Sequence, residues 1–146
     1  MSQNLWIASD HAGYLLKQYL IKNFSPSPWM WRDLGPDRAD VSVDYPDYAR
    51  LLCHEFVSDS NALGILICGS GIGMSIAANR NKDIRAALVF NEAMARLSRQ
   101  HNDANVLCLG ARFLREEEAL QILGTWLATS FEGGRHENRV QKINHV

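Results

Sequence analysis

Residues 64–80 read GILICGSGIGMSIAANR and hold the densest chemistry of the chain. The apolar run Ile65-Leu66-Ile67 stops at Cys68, and Gly69, Gly71 and Gly73 follow before a helix-favouring run begins. A strand feeding a glycine loop at a helix start presents free backbone N–H groups and the positive end of a helix dipole, a setting that suits anions. The same setting favours the thiolate form of a cysteine. Two readings of Cys68 stand side by side: a reactive thiolate, or an inert buried thiol of the kind read for Cys53 and Cys108. The loop is either an anion site or a tight turn with no ligand. Its GxGxG spacing, with Met74 next, matches neither the GK[ST] ending of a Walker A loop nor GxGxxG.

Other polar groups fall where elements end. Ser9-Asp10-His11 closes the first apolar run, and Gly110-Ala111-Arg112 closes the last. Arg99-Gln100-His101-Asn102-Asp103 closes a helical stretch. An imidazole beside a sugar oxygen can serve as general acid and base, whereas a helix-end histidine is otherwise a cap or surface group. Arg135 and Arg139 are four apart and share a helix face. Two guanidinium groups there suit a phosphate, or else form a solvated basic tail. Asp44-Tyr45-Pro46-Asp47 is a polar loop with an aromatic, or a plain helix start.

The elements that must position these groups alternate. Strands are read at Leu5–Ser9, Trp29–Leu34, Leu63–Cys68, Arg85–Phe90 and Asn105–Leu109. Helical periodicity covers Leu15 to Phe24, Pro46 to Phe56, Met74–Asn79, Glu92–Gln100 and Arg115–Phe131, the last ended by Gly133-Gly134. A short helix is read over Arg135–Ile143. Repeated βα units predict an α/β fold, a Rossmann-like three-layer α/β/α sandwich with a five-stranded parallel sheet. Sites in such folds lie beyond the carboxyl ends of the strands, so the strand-end groups are expected on one rim.

The totals bound the partners. A chain of 146 residues suits a single domain, 1–146. A net charge of -1 gives no general pull toward nucleic acid. Met1–Asp10 lacks the basic start and long apolar run of a signal peptide, and no stretch approaches the ~18 apolar residues of a membrane span. Three widely spaced cysteines argue against a disulfide framework and a CxxC zinc site, and place the protein in the reducing cytoplasm.

Five segments in order, SDHAG (9–13), DYPDYA (44–49), ILICGSGIGMSIAANR (65–80), LSRQHNDANVLCLGAR (97–112) and EGGRHENRV (132–140), resemble the type B ribose-5-phosphate isomerases, relatives of the galactose-6-phosphate isomerase subunits. The resemblance spans nearly the whole chain. It implies an aldose–ketose isomerase of the pentose phosphate pathway, working through a cis-enediolate with no metal or cofactor. It implies Cys68 as the base that moves the proton between C2 and C1. Another branch uses a glutamate just after the last glycine of the loop; Met74 stands there in this chain. Ser70 replaces the threonine common in the cysteine branch and keeps a hydroxyl for the substrate oxygen.

By the same resemblance His101 opens the furanose ring with help from Asp10, and Tyr45 and Asn102 hold sugar hydroxyls. His11, Arg112, Arg135 and Arg139 bind phosphate, and the amides of Gly69, Gly71 and Gly73 form an oxyanion hole. The implied assembly is a homodimer with shared sites, open to pairing into a tetramer. His101 and Asn102 then come from the neighbour of the subunit giving Cys68, and the tail, 132–146, contributes to the site or to the dimer contact. Two alternatives remain: an isomerase of a six-carbon aldose phosphate (allose or galactose 6-phosphate), and a non-catalytic sugar-phosphate sensor.

Overall fold

The computed structural model describes residues 3–146. Five parallel strands, β1 (Gln3–Ser9), β2 (Trp29–Asp33), β3 (Leu63–Cys68), β4 (Ala86–Leu88) and β5 (Val106–Gly110), lie in the order β2-β1-β3-β5-β4. The helices are α1 (Tyr14–Asn23), α2 (Tyr45–Glu55), α3 (Ile72–Ala78), α4 (Glu92–Asn102), α5 (Glu116–Ala128) and α6 (Arg135–Asn144).

Side-chain alternation along the strands divides the core in two. Ile65, Ile67, Leu107 and Leu109 face α1, α4 and α5, where Leu16, Leu20, Ala95, Ile122, Leu123 and Trp126 close the layer. Leu66, Cys68, Val106 and Cys108 face α2 and α3, packed by Leu52, Phe56, Met74 and Ala78. The central strands β3 and β5 are buried along their whole length, as strands covered on both faces must be. The expected three-layer fold is therefore present. Its α6 lies outside the layers, packed on α4.

Local chemistry moves several element ends from where periodicity places them. Asp10 accepts the Gly13 N–H at 3.0 Å and keeps residues 10–13 in a turn, so α1 starts at Tyr14. Helix α3 starts two residues before Met74, at Ile72. Helix α4 runs on through His101 and Asn102, and Asp103 ends it in the left-handed region (φ 45). Strand β4 keeps only Ala86–Leu88 of the expected Arg85–Phe90, since it has a single neighbouring strand. Helix α5 stops at Ala128, where Thr129 turns extended; Gly133 and Gly134 do not end α5 but lead into α6.

One burial reverses the expectation from pattern. Leu15 is exposed, and Lys17 on α1 is fully buried. Its ammonium donates to both Asp33 carboxylate oxygens (2.7 and 2.8 Å) and to the Pro36 carbonyl (3.0 Å). All three ammonium protons are thereby used. Asp33 also accepts the Gly35 N–H at 2.9 Å, so the lysine binds α1 to the chain leaving β2.

Removing either partner is expected to have unequal effects, because the lysine end of the pair is buried and the aspartate side chain is 36% exposed. Asp33→Ala strands a buried cation and should cost about 3 kcal/mol. Lys17→Met leaves a carboxylate that water can reach and should cost about 1 kcal/mol. Urea unfolding of both variants checks the order; equal or reversed losses would contradict this account of the pair.

Candidate active site

Strands β1 and β3 are neighbours whose following helices leave to opposite faces of the sheet. That switch of direction opens a crevice at their carboxyl ends, the usual ligand position of such sheets. Asp10, buried at the end of β1, donates its N–H to the Ile67 carbonyl at 3.1 Å. Its Oδ1 is held by Gly13, and its Oδ2 accepts no hydrogen bond among the described residues. The next residue, His11, accepts the Val43 N–H at Nδ1 (3.1 Å). With Nδ1 accepting, the proton of the neutral ring sits on Nε2, which becomes a donor.

Cys68 ends β3 and is 4% exposed. The Gly71 N–H points at its sulfur, 3.1 Å away. A backbone donor aimed at sulfur is the arrangement that serves a negatively charged sulfur. Gly71 can turn its amide there because its φ is +77, in the region other residues avoid. The Ser70 hydroxyl accepts the Ile72 N–H at 3.2 Å. Arg112, just beyond β5, donates its N–H to the Gly69 carbonyl at 2.9 Å. Its guanidinium lies over Gly69, where a Cβ would come within 2.8 Å of Nη1. The Tyr45 ring lies closer still over Gly73, where a Cβ would fall 2.5 Å from Cζ and 2.8 Å from the phenol oxygen.

Asp10, His11, Tyr45, Cys68, Gly69, Ser70, Gly71, Gly73 and Arg112 thus gather on one rim. Met74 is fully buried in the α2/α3 layer, so the position after the last loop glycine feeds the core. Burial pushes the Cys53 thiol up to about 11. The Cys108 thiol is raised further, by burial first and then by Cys68 and Cys53. Both stay protonated near neutrality, in keeping with their reading as packing residues.

His101, Asn102, Arg135 and Arg139 are not on that rim. Helix α4 ends where β5 begins, and Val106 pairs with Gly64, at the opposite end of β3 from Cys68. Four strand steps separate Gly64 from Cys68, about 13 Å of strand. Arg135 and Arg139 are exposed on α6, which packs on α4. The second group therefore forms at the amino edge of the sheet, about a strand length from the first.

The amino-edge group has supports to which sequence reading gave no role. Asp103 is held by Arg85 Nη2 and Arg99 Nη1, each at 3.3 Å, which fixes the helix end bearing His101 and Asn102. His136 on α6 stacks on His101, centroids 4.2 Å apart and planes inclined 14°. With Glu132 they place one ligand atom each within 4.8 Å of one another. Rings stacked this way send their lone pairs along nearly parallel lines, which do not converge on a tetrahedral ion. The cluster fits a stacked pair better than a metal centre.

A groove of about 690 Å³ runs beside β4, with Asn102 on its wall among Leu88, Leu97 and Ile143. Ile72, Ile76, Met94, Leu97 and Ile143 are exposed on α3, α4 and α6. An unpaired strand edge and exposed apolar side chains on the helices around it are features of surfaces that other chains cover. Among the described residues, no helix is long and apolar enough to cross a membrane.

Known proteins are similar to this chain in sequence and in fold. Residues 5–143 match the family described as Ribose/Galactose Isomerase. A probable ribose-5-phosphate isomerase B of Mycoplasma pneumoniae is 50% identical, over 98% of this chain and 94% of that protein. Ribose-5-phosphate isomerase B of Escherichia coli is 39% identical, over 94% of this chain and 91% of its own. Among solved structures, ribose-5-phosphate isomerase B of Mycoplasma genitalium with bound ribulose-5-phosphate has a TM-score of 0.94 at 45% identity, covering 99% of this chain and 96% of that one. The Thermotoga maritima enzyme has a TM-score of 0.93 at 45% identity and covers both chains fully.

The Val43 contact predicts a single His11 tautomer. Nitrogen NMR of the imidazoles, recorded well above their titration range, should show His11 Nδ1 bare and Nε2 protonated. Val43→Pro, which deletes the donor, should mix the tautomers, while Val43→Ala should not. A protonated Nδ1 in the unaltered protein would contradict the assignment.

Proposed function

This chain belongs to the ribose/galactose isomerase family of aldose–ketose isomerases, and from that premise we propose that it interconverts ribose 5-phosphate and ribulose 5-phosphate. The observation that carries the reading is the Gly71 N–H aimed at the Cys68 sulfur in the β1/β3 crevice. A base beside fixed amide donors suits proton transfer next to a carbonyl, where the proton is weakly acidic and the product is an oxyanion.

In the proposed reaction Asp10 takes the proton of the anomeric hydroxyl, His101 of the partner subunit protonates the ring oxygen, and the bond from that oxygen to C1 breaks. The Cys68 thiolate then takes the C2 proton, forming a cis-enediolate, and returns it to C1. Ser70 bridges O1 and O2 and relays the O2 hydroxyl proton to O1, leaving C2 as the ketone and C1 as the alcohol. The Gly71 amide is turned to the sulfur and the Ile72 amide to the Ser70 hydroxyl, which leaves the amides of Gly69, Ser70 and Gly73 for the developing negative oxygen. Tyr45 and Asn102 of the partner subunit hold hydroxyls. His11 and Arg112, with Arg135 and Arg139 of the partner subunit, hold the phosphate and so position the reacting end.

The separation of the two edges supports a site shared between two copies. The exposed apolar side chains beside β4 supply a surface for the pairing. We infer that residues 1–146 act as one sugar-phosphate isomerase domain whose tail, 132–146, lends its arginines across the dimer. Three free cysteines suit the reducing cytoplasm, and the reaction would serve the pentose phosphate pathway.

Cys68→Ala is expected to lower kcat by about 10³-fold with KM little changed, measured on ribose 5-phosphate. Turnover near the unaltered rate would remove Cys68 as the base. A panel of ribose 5-phosphate, allose 6-phosphate and galactose 6-phosphate should rank ribose first, and a six-carbon substrate in that place would redirect the reading. Chelator should leave the rate unchanged.

A further inference from the structure

His136 is a buried titratable side chain that the reaction above does not use. It lies in the first turn of α6, 5% exposed, between Arg135 and Glu137. Its Nε2 is buried without a hydrogen-bond partner among the described residues. The Oε2 of Glu132 stands 3.7 Å away, outside bonding distance. A leucine or phenylalanine would fill the position without orphaning a nitrogen, so an imidazole here asks for a reason beyond packing.

The chain is steered to put the ring against His101. The Glu132 N–H donates to the Gln100 carbonyl at 3.1 Å, one residue before His101. Gly133 and Gly134 then turn the chain back with φ of 65 and 54. Helix α6 opens with His136 stacked on His101. Loss of solvent, and next the facing His101, hold the His136 imidazole below its ordinary proton affinity, which favours its uncharged form.

We propose that His136 is a positioning residue for His101, its ring face fixing the plane in which His101 presents its nitrogen to the sugar. This rests on the ring-opening role given to His101. In that step the proton on His101 moves to the ring oxygen as the C1–oxygen bond breaks, and C1 keeps its hydroxyl oxygen as the aldehyde after Asp10 removes the hydroxyl proton. A histidine that donates in that step does so as imidazolium. A cation over an uncharged aromatic face is attracted to it, so the stack holds the ring flat while it carries the proton. Angular freedom in a proton donor is costly, because catalysis depends on near-attack geometry.

The test compares two substrates. Ribose 5-phosphate reaches the enzyme chiefly as a furanose; 4-deoxyribose 5-phosphate lacks the hydroxyl that closes a five-membered ring and arrives as the open aldehyde. His136→Ala should lower kcat/KM for ribose 5-phosphate about tenfold and for the 4-deoxy compound less than about twofold. His136→Phe keeps a flat ring and should recover most of the loss. His101→Ala serves as the control and should show the same selectivity, more strongly. Equal losses on the two substrates with His136→Ala, or a Phe variant as poor as the Ala variant, overturn the positioning role and leave the isomerase reading standing. Equal losses with His101→Ala overturn the ring-opening role, and this inference with it.

Discussion

Backbone lying against backbone at the carboxyl edge of the sheet is the constraint on which the site depends. A Cβ at Gly110 would sit 2.5 Å from the Ser70 carbonyl oxygen, and one at Gly13 would sit 2.5 Å from that of Ile67. Neither clash can be relieved by turning a side chain, since the obstacle is main chain. The turn after β1 is thereby pressed onto the end of β3, and the glycine loop onto the end of β5. Only within that compression does the Gly71 amide reach the Cys68 sulfur, and only then does the Arg112 backbone reach Gly69. The reactive-looking thiol is a product of close packing between loops as much as of its place at a strand end.

What the sequence made legible follows from which forces act locally. The buried strands β3 and β5 are continuous apolar runs, and the strand ends Asp10, Cys68 and Arg112 lie on one rim as α/β topology requires. Element ends were less legible, because they depend on partners distant in sequence. Lys17 looks like a solvent residue on α1 until Asp33 and Pro36 arrive from the next strand. Asp103 takes a left-handed backbone between two arginines, one of them 18 residues upstream in the chain.

The amino-edge group shows a different limit. Periodicity places His101 at a helix end, and neither composition nor spacing tells that the fold sets it a strand length away from Cys68. The relation of the two groups is a property of sheet direction. The sequence gives no role to His136 for a similar reason, since it lies within a run of charged residues. A signal was present: on a helix, residues 136 and 140 share a face, and that face is the buried one, with Val140 beside the histidine.

The division of the residues between two edges has a consequence in genetic terms. Under the shared-site reading, a chain damaged at the carboxyl edge still carries a sound amino edge, and the converse holds for a chain damaged at His101. When two such chains pair, one of the two shared sites collects both lesions and the other collects none. Two inactive alleles of this gene would therefore complement each other in the same cell, up to one working site per mixed pair, while either allele alone would be silent.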